Sequence, residues 1–467
     1  MKKSPFKIFL RKVYIFLGSL KLAVVVILSV AVIAAVGTIY EAQYNAETAQ
    51  KLVYHSWWMK GTLIFMALNL IVSVLHRYPW KKKHIGFMTV HAGILVLMFG
   101  SILTSRYGVD GSLYLEINSS NRWVSMSDYE FSIWLADANS RATPFLVQPV
   151  DFLVEPPNID VKVGEDRIQV TDFVPYAYAR TQVEPAEGKE DPSVMPAVRV
   201  QLFNDRINMT EWMQPTKTRP DIKALGPANM VFANGAYEPT KNANELVLKT
   251  LNNNKETLSY EVYSKSKNGL IKKGKIKAGE TIETGWMNIQ LRLLSYYPKA
   301  KIEQTFEALK HPTPLTTSAV AIDYNGEKHW LGLNGVLKLF KENAVYFITY
   351  ANRRLDLGFN IDLDHFEVGR YQGTVRAASY KSLVNVEGLG QREISMNEPL
   401  KYKGYTFYQA SFQEDPNTGQ PTASILSVNK DPGRWWKYLG ALMIVIGAML
   451  MFYLGDYLKK SSGGAKS

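Results

Sequence analysis

Four stretches of this chain are almost wholly apolar, Leu22 to Tyr40, Gly61 to Leu75, Ile85 to Thr104 and Tyr438 to Leu454, and each predicts a helix. They run to about 15 to 20 residues, close to the ~20 that a ~30 Å hydrocarbon layer requires, so each reads as a membrane span. The second is short, but Trp57 and Trp58 before it and Tyr78 and Trp80 after it supply the amphipathic rings that collect at membrane interfaces. Between the third and fourth spans the pattern changes to period two, as in Ile289, Leu291 and Leu293 or Phe347 and Thr349. Asn325-Gly326 in AVAIDYNGEKHWLGL and Asn268-Gly269 in SYEVYSKSKNGLIKKGKI each stand between two short runs, the signature of a type I′ hairpin. Proline-rich joints (QPVDFLVEPPN, VEPAEGKEDPSVMP, KHPTP) interrupt these runs, and Glu187 to Ser193 reads as an exposed loop. The expected architecture is a membrane protein with four transmembrane α-helices, three before and one after a large external β-rich domain of one or two antiparallel sandwiches. The parts are residues 1–104, 105–434 and 435–467, the last carrying the fourth span and a tail.

Lysine and arginine placement sets an orientation. Lys2, Lys3, Lys7, Arg11 and Lys12 precede the first span, Arg77, Lys81, Lys82 and Lys83 fill the loop between the second and third, and Lys459 and Lys460 follow the fourth. All three clusters fall on one side, so the positive-inside rule puts both termini in the cytoplasm and residues 105–434 outside. The first apolar stretch also resembles a cleavable signal peptide, but it is long for an h-region, and removing it would break the charge pattern. The net charge of +12 partly reflects these flanks, which fix topology and meet anionic lipid. No motif supports a nucleic-acid partner. The chain has no cysteine, which removes thiol-disulfide chemistry, thiolate metal sites and thioether attachment of haem to this chain.

No catalytic constellation is legible in the external part. His311, His329 and His365 lack the spacing of a metal site and read as ordinary surface or strand histidines. Asp362, Asp364 and Glu367 alternate as on a solvated strand face. The expectation is a binding or docking surface rather than an enzyme.

The third span carries the one ionisable residue that needs a reason. In GFMTVHAGILVLMFG, His91 stands six residues in from Ile85, about 9 Å at 1.5 Å per residue. A charge near the bilayer centre costs roughly 2.5 kcal/mol or more, so such a residue faces the bundle or a cavity. At about 100° per residue, His91 shares a face with His84 and Met98, flanked by Phe87, Met88 and Leu95. Gly86, Gly93 and Gly100 form a second heptad series on the opposite face. Small residues permit close helix approach, so the glycine face should pack against this chain's own spans and leave the histidine face for a ligand or partner. Three readings stay open for His91: an axial ligand of haem, with Arg77 and Lys81 to Lys83 pairing the propionates; a hydrogen bond to a neighbouring helix; and a proton relay. A b-type cytochrome with both ligands from this chain would need paired histidines on facing helices, and the first and fourth spans contain none.

The flanking text adds a resemblance. The stretch from Gly37 to Glu116, which includes KKKHIGFMTVHAGILVLMFGS, resembles the amino-terminal part of the ResB/CcsB family of system II cytochrome c biogenesis proteins. Downstream, LDHFEVGRYQGTVRAASYKSLVNV and ISMNEPLKYKGYTFYQASF resemble two blocks of that family's external domain, and DPGRWWKYLGALMIVIG resembles its final span. Val124 to Phe340 carries no such block. The resemblance implies haem b held in transit at His91 and shared with a ResC/CcsA-type haem-handling membrane protein that supplies the other ligand. It further implies delivery to apocytochrome c, with a thioredoxin-like thiol reductant as a further partner. By the same resemblance the external haem ligands fall to the partner protein. His84 reads as an interfacial residue beside three lysines, with assistance to haem uptake as the alternative. The rival to the whole reading is a structural or docking subunit that binds no haem.

Overall fold

The computed structural model describes residues 5–454 except 138–141, 187–193, 206–207, 225–227, 240–242, 252–255, 268, 287, 342–343, 374–375 and 416–419. The expected loop at Glu187 to Ser193, and Lys2, Lys3, Lys459 and Lys460, lie outside the described residues. Six α-helices are described: α1 (Pro5–Leu17), α2 (Leu20–Gln43), α3 (Ala46–Ala49), α4 (Trp57–Leu75), α5 (Ile85–Tyr107) and α6 (Arg434–Met449). Four of them, α2, α4, α5 and α6, are long and apolar enough to cross a membrane, and they coincide with the four predicted spans.

Two helical features go beyond the pattern reading. Residues Pro5–Leu17, which the sequence marks only as a basic flank, form α1, and Gly18 and Ser19 separate it from α2. Ser19 caps α2 by accepting from the Leu22 amide at 3.2 Å. The break frees carbonyls inside an apolar region, where unpaired backbone groups cost several kcal/mol. Buried Asn69 of α4 meets that need by donating to the Leu17 and Ser19 carbonyls at 2.7 and 3.2 Å. At the other end of α2, α3 runs into a π turn, Gln50–Tyr54, before Ser56 caps α4.

The tightest packing joins α5 to α6. Gly86, Gly93 and Gly100 are the buried residues of α5, and the α6 partners are glycines at the same heptad spacing, Gly433, Gly440 and Gly447. A Cβ at Gly93 would stand 2.8 Å from the Gly440 carbonyl oxygen, and one at Gly100 would stand 2.9 Å from that of Gly433. The glycine face therefore packs within the chain, as its spacing predicts. At the end next to the β-domain Asp431 closes the seam, accepting from Thr104 Oγ1 at 2.6 Å and Lys437 Nζ at 2.7 Å.

The seam continues as a β-ladder. After Gly108 the chain enters strand Val109–Glu116, which pairs antiparallel with Pro421–Lys430 from Val109↔Lys430 to Glu116↔Ala423. This pair sits in a ten-stranded sheet with the long strands Ser120–Asp137 and Ala344–Arg370. A second sheet of eight strands centres on Asp166–Pro185 and Gln290–Ala308, and a third of five on Asn244–Thr250. Three apolar cores result. Leu113, Phe359, Phe407 and Leu426 lie in the first, Phe131, Ile168, Ile322 and Ile348 in the second, and Met213, Phe232, Leu246 and Leu291 in the third. The expectation of one or two sandwiches left open how strands are shared. Here Ala344–Arg370 contributes Ile348 to one core and Phe359 and Leu363 to another, which is how a single strand reaches 27 residues.

Among the described residues pairing is antiparallel except between Asn244–Thr250 and Ala228–Ala233, which run parallel. The hairpin at Asn325-Gly326 has both residues at positive φ, 52° and 92°, as a type I′ turn requires. The expected tight turn at Asn268-Gly269 is corrected. The ladder pairs Ser264 with Gly269, so more than two residues separate the strands and Gly269 already lies in the second; Asn268 itself is outside the described residues. Asp166 joins the first two sheets by accepting from Asn325 Nδ2 at 2.9 Å, Lys341 Nζ at 2.8 Å and the Tyr346 hydroxyl at 2.7 Å. The Lys341 bond, followed by those from Tyr346 and Asn325, holds this carboxylate well below the usual range.

Two predictions follow from this packing. Gly93→Val is expected to destabilise the α5–α6 pair by about 1–3 kcal/mol through overpacking, read as a lowered unfolding midpoint in detergent, whereas Gly61→Ala, with open space around it, should not lower it. Because the Asp166 pKa is depressed in the folded state, its contribution is complete above the unfolded value of about 3.9 and is lost as pH falls below it. Asp166→Asn should therefore lower the unfolding midpoint at pH 7 and lose most of that difference at pH 2.

Candidate functional site

His91 lies on the α5 face opposite the glycine seam and is half-buried. Its Nδ1 is 2.9 Å from the carbonyl oxygen of Phe87, one turn earlier. A carbonyl only accepts, so Nδ1 carries the proton and the neutral ring presents its lone pair at Nε2. Among the described residues no hydrogen bond engages Nε2. The bond seen is to its own helix, not across to a neighbour, which differs from the packing role weighed from the sequence. The Phe87 and His91 rings are in contact, tilted by 36° with centroids 3.8 Å apart, and the Arg77 guanidinium lies over the Phe87 ring, 3.4 Å from its centroid. Arg77, Phe87 and His91 therefore form one contiguous cluster beginning at the loop between α4 and α5.

The other sequence candidates are placed as follows. Met98 is half-buried, two turns further out on the His91 face. His84 precedes α5, and its Nδ1 accepts from the Lys81 amide at 3.4 Å, so its ring closes the turn Lys82–His84. Lys81, Lys82 and Lys83 are exposed. The structure thus brings Arg77 to His91 and leaves the three lysines at the rim. His55 and His76 stand at the two ends of α4, outside the span itself. The Arg77 cluster has a sequence signal only in retrospect, a cation and an aromatic flanking one short loop.

At the opposite end of the bundle the helices meet the β-domain through α3 and its π turn. Lys51, with 14% of its side chain exposed, pairs with Glu47 at 2.9 Å and Asp151 at 3.2 Å and lies over the Tyr129 ring. Tyr129 donates to Glu47 at 2.9 Å; burial, reinforced by the Glu47 charge, holds its phenol protonated far above the usual range. Thr48 and Tyr176 hydroxyls are 2.5 Å apart. Glu47, Thr48, Tyr129 and Asp151 border a cavity of about 390 Å³ walled by Phe152, Phe173, Tyr176 and Tyr350. His311 belongs to this junction: its Nδ1 is 3.2 Å from the Gln43 carbonyl and its ring lies against Tyr44. His329 and His365 stand 3.7 and 3.5 Å from Glu327 and Glu367. No group of three or more metal-ligating side chains occurs among the described residues.

Comparison with known proteins now bears on this geometry. Residues 340–422 match the ResB-like family, which covers the strand Ala344–Arg370 and the two external blocks picked out in the sequence. The chain is 22% identical over 441 residues to protein NrfI of Wolinella succinogenes, covering 93% of this chain and 34% of that protein. It is 46% identical over 70 residues to cytochrome c biogenesis protein CcsB of Prochlorococcus marinus strain NATL2A, 14% of this chain and 16% of that one. The chain thus spans about a third of the length of NrfI. The likeness to the ResB/CcsB family read from the sequence is shown by these matches.

Lys51→Met should leave Glu47 and Asp151 facing each other without their cation, at a cost of about 1–2 kcal/mol given their partial exposure. The measurement is hydrogen exchange over residues 46–54, expected to speed up roughly tenfold while exchange in the α5–α6 seam stays unchanged.

Proposed function

We propose, with the ResB-like family as the premise, that this chain is a cytochrome c biogenesis factor of a bacterial inner membrane. In this reading both termini are cytoplasmic and the β-domain is outside. The chain takes haem b as cargo at His91 and helps present it at the outer face for attachment to apocytochrome c. The observation that carries the reading is the state of His91: Nδ1 is held by the Phe87 carbonyl, leaving an Nε2 lone pair on the helix face that the glycine seam turns away from α6.

The residues suit an iron porphyrin by their chemistry. A tautomer fixed by a backbone carbonyl is the usual second-sphere arrangement of a ligating imidazole. Phe87 and Met98 supply apolar surface, and Arg77 with Lys81 to Lys83 supplies cations for propionates at the inner end. The iron's role here is to be carried. This chain's part is to hold it by one imidazole, exclude water and fix its depth. With one histidine inside the spans, the second axial ligand falls to another membrane protein of the ResC/CcsA type. Having no cysteine, the chain leaves reduction of apocytochrome thiols to a thioredoxin-like partner. It is an assembly factor in this reading and not itself a catalyst.

One observation favours a docking role beside haem transfer. Strands Thr143–Val150 and Gly335–Lys341 flank the long pair in the second core, and on the side away from it Phe145, Val147, Val336 and Phe340 are about half exposed. Such a patch marks a protein contact.

His91→Gln retains a donor and an acceptor but ligates iron poorly. It is expected to lower the haem absorbance of the complex co-purified with its partner at least tenfold, and to lower cytochrome c yield with it. Unchanged haem content with unchanged yield would leave the docking role alone standing.

A further inference from the structure

A second feature of the membrane part lies apart from His91. Between α4, α5 and α6 runs an apolar groove of about 370 Å³, lined among others by Ile71, Leu75, Trp80, Met88, Ala92 and Met443. His91 is not part of its lining, since Met88 and Ala92 place the groove to one side of the histidine on the way round to the glycine seam. The Trp80 indole is fixed as one wall, donating from Nε1 to the Val74 carbonyl at 3.1 Å. The next three residues in the chain are Lys81, Lys82 and Lys83, all exposed, and among the described residues none of them is in an ion pair. Arg77, the fourth cation of that loop, is turned the other way, onto Phe87.

We infer that this groove is a binding site for one anionic phospholipid, its acyl chain lying in the slot and its phosphodiester headgroup meeting Lys81 to Lys83. The walls argue for a flexible chain rather than a helix. A packing helix comes to about 8–10 Å between axes and favours small residues at the contact, whereas seven of the nine residues that line this slot are bulky Ile, Val, Leu, Met or Trp, with Thr89 and Ala92 the small ones. Methionines adapt to an irregular occupant, and the slot offers iron no imidazole. The charge is complementary: three unpaired lysines at the inner end of an apolar slot match one negative headgroup above its own hydrocarbon. The site shares Lys81 to Lys83 with the haem reading but uses no imidazole, so lipid quenching tests it separately from haem absorbance.

The absence of cysteine makes the test clean. Thr89→Cys places a bimane fluorophore in the groove, and Val25→Cys places one on the exposed face of α2 as the reference. Each full-length variant is reconstituted in nanodiscs and titrated with brominated phosphatidylglycerol or brominated phosphatidylcholine as quencher. The expected result is quenching at position 89 at a phosphatidylglycerol fraction at least fivefold lower than at position 25, with no such preference for phosphatidylcholine. Adding Lys81→Gln, Lys82→Gln and Lys83→Gln together should abolish the preference, and Ala92→Phe should abolish quenching at 89 while leaving it at 25. Equal quenching at both positions by both lipids would overturn the site. So would protection of position 89 by the co-purified partner protein in place of lipid, or a haem absorbance that Ala92→Phe removes while lipid quenching persists.

Discussion

The close contact between α5 and α6 is the constraint on which the remainder rests. Two rows of glycine at heptad spacing bring the helix backbones together so tightly that carbonyl oxygens occupy the space a methyl group would need. Lipid tails are as apolar as leucine, so helices in a bilayer associate through such packing and not through hydrophobic exclusion. The contact also fixes rotation. With one face of α5 committed to α6, the opposite face, with His91 and Met98, has no partner within the pair. The strands on either side of the pair lengthen the same contact into the outer domain, because Val109–Glu116 and Pro421–Lys430 pair in full register above it. Helix seam and ladder form one continuous paired element from the far end of the bundle to the first core of the β-domain.

The other two long helices are attached more loosely, and polar contacts carry more of the work there. Asn69 ties α4 to the break between α1 and α2, and Lys51, steadied by Glu47 of the connector, ties that connector to the domain through Asp151. The domain is thus held at two points of different character, a glycine-packed rod and a charged clasp. A partner protein that bound beside His91 would meet the rod; one that bound the outer junction would meet the clasp.

Much of the membrane part is legible in the sequence because its rules are few. Length and apolarity locate the spans, and the heptad of Gly86, Gly93 and Gly100 foretells a packed face. The matching heptad of Gly433, Gly440 and Gly447 is equally visible in the last span, and setting the two rows side by side names the contact by spacing alone. Asn325-Gly326 is readable because a type I′ turn demands two positive φ angles that few residue pairs tolerate. Asn268-Gly269 misleads because the same dipeptide also suits a longer connection, and ladder register decides between them. The three cores are hidden for another reason: alternation along Ala344–Arg370 says which side chains point together but not that the strand leaves one core for the next midway. The cluster of Arg77 with Phe87 and His91 depends on how a short loop folds back, which no periodicity encodes.

The pairing of Val109–Glu116 with Pro421–Lys430 has a consequence for how the protein is made. These strands begin and end the outer domain, so its first core closes a loop of about three hundred residues, an entropic cost that is met only once its last strand is available. Synthesis at about 5–20 residues per second leaves the first strand waiting for tens of seconds with an unpaired edge, and such edges invite the wrong neighbour. The three N-terminal apolar helices are complete throughout that interval, and α6 reaches its glycine groove last. A chain that stops short of residue 421 lacks the strand that completes the ladder as well as the helix that completes the seam, so truncation from the C-terminal side removes the membrane and the soluble closures in one stroke.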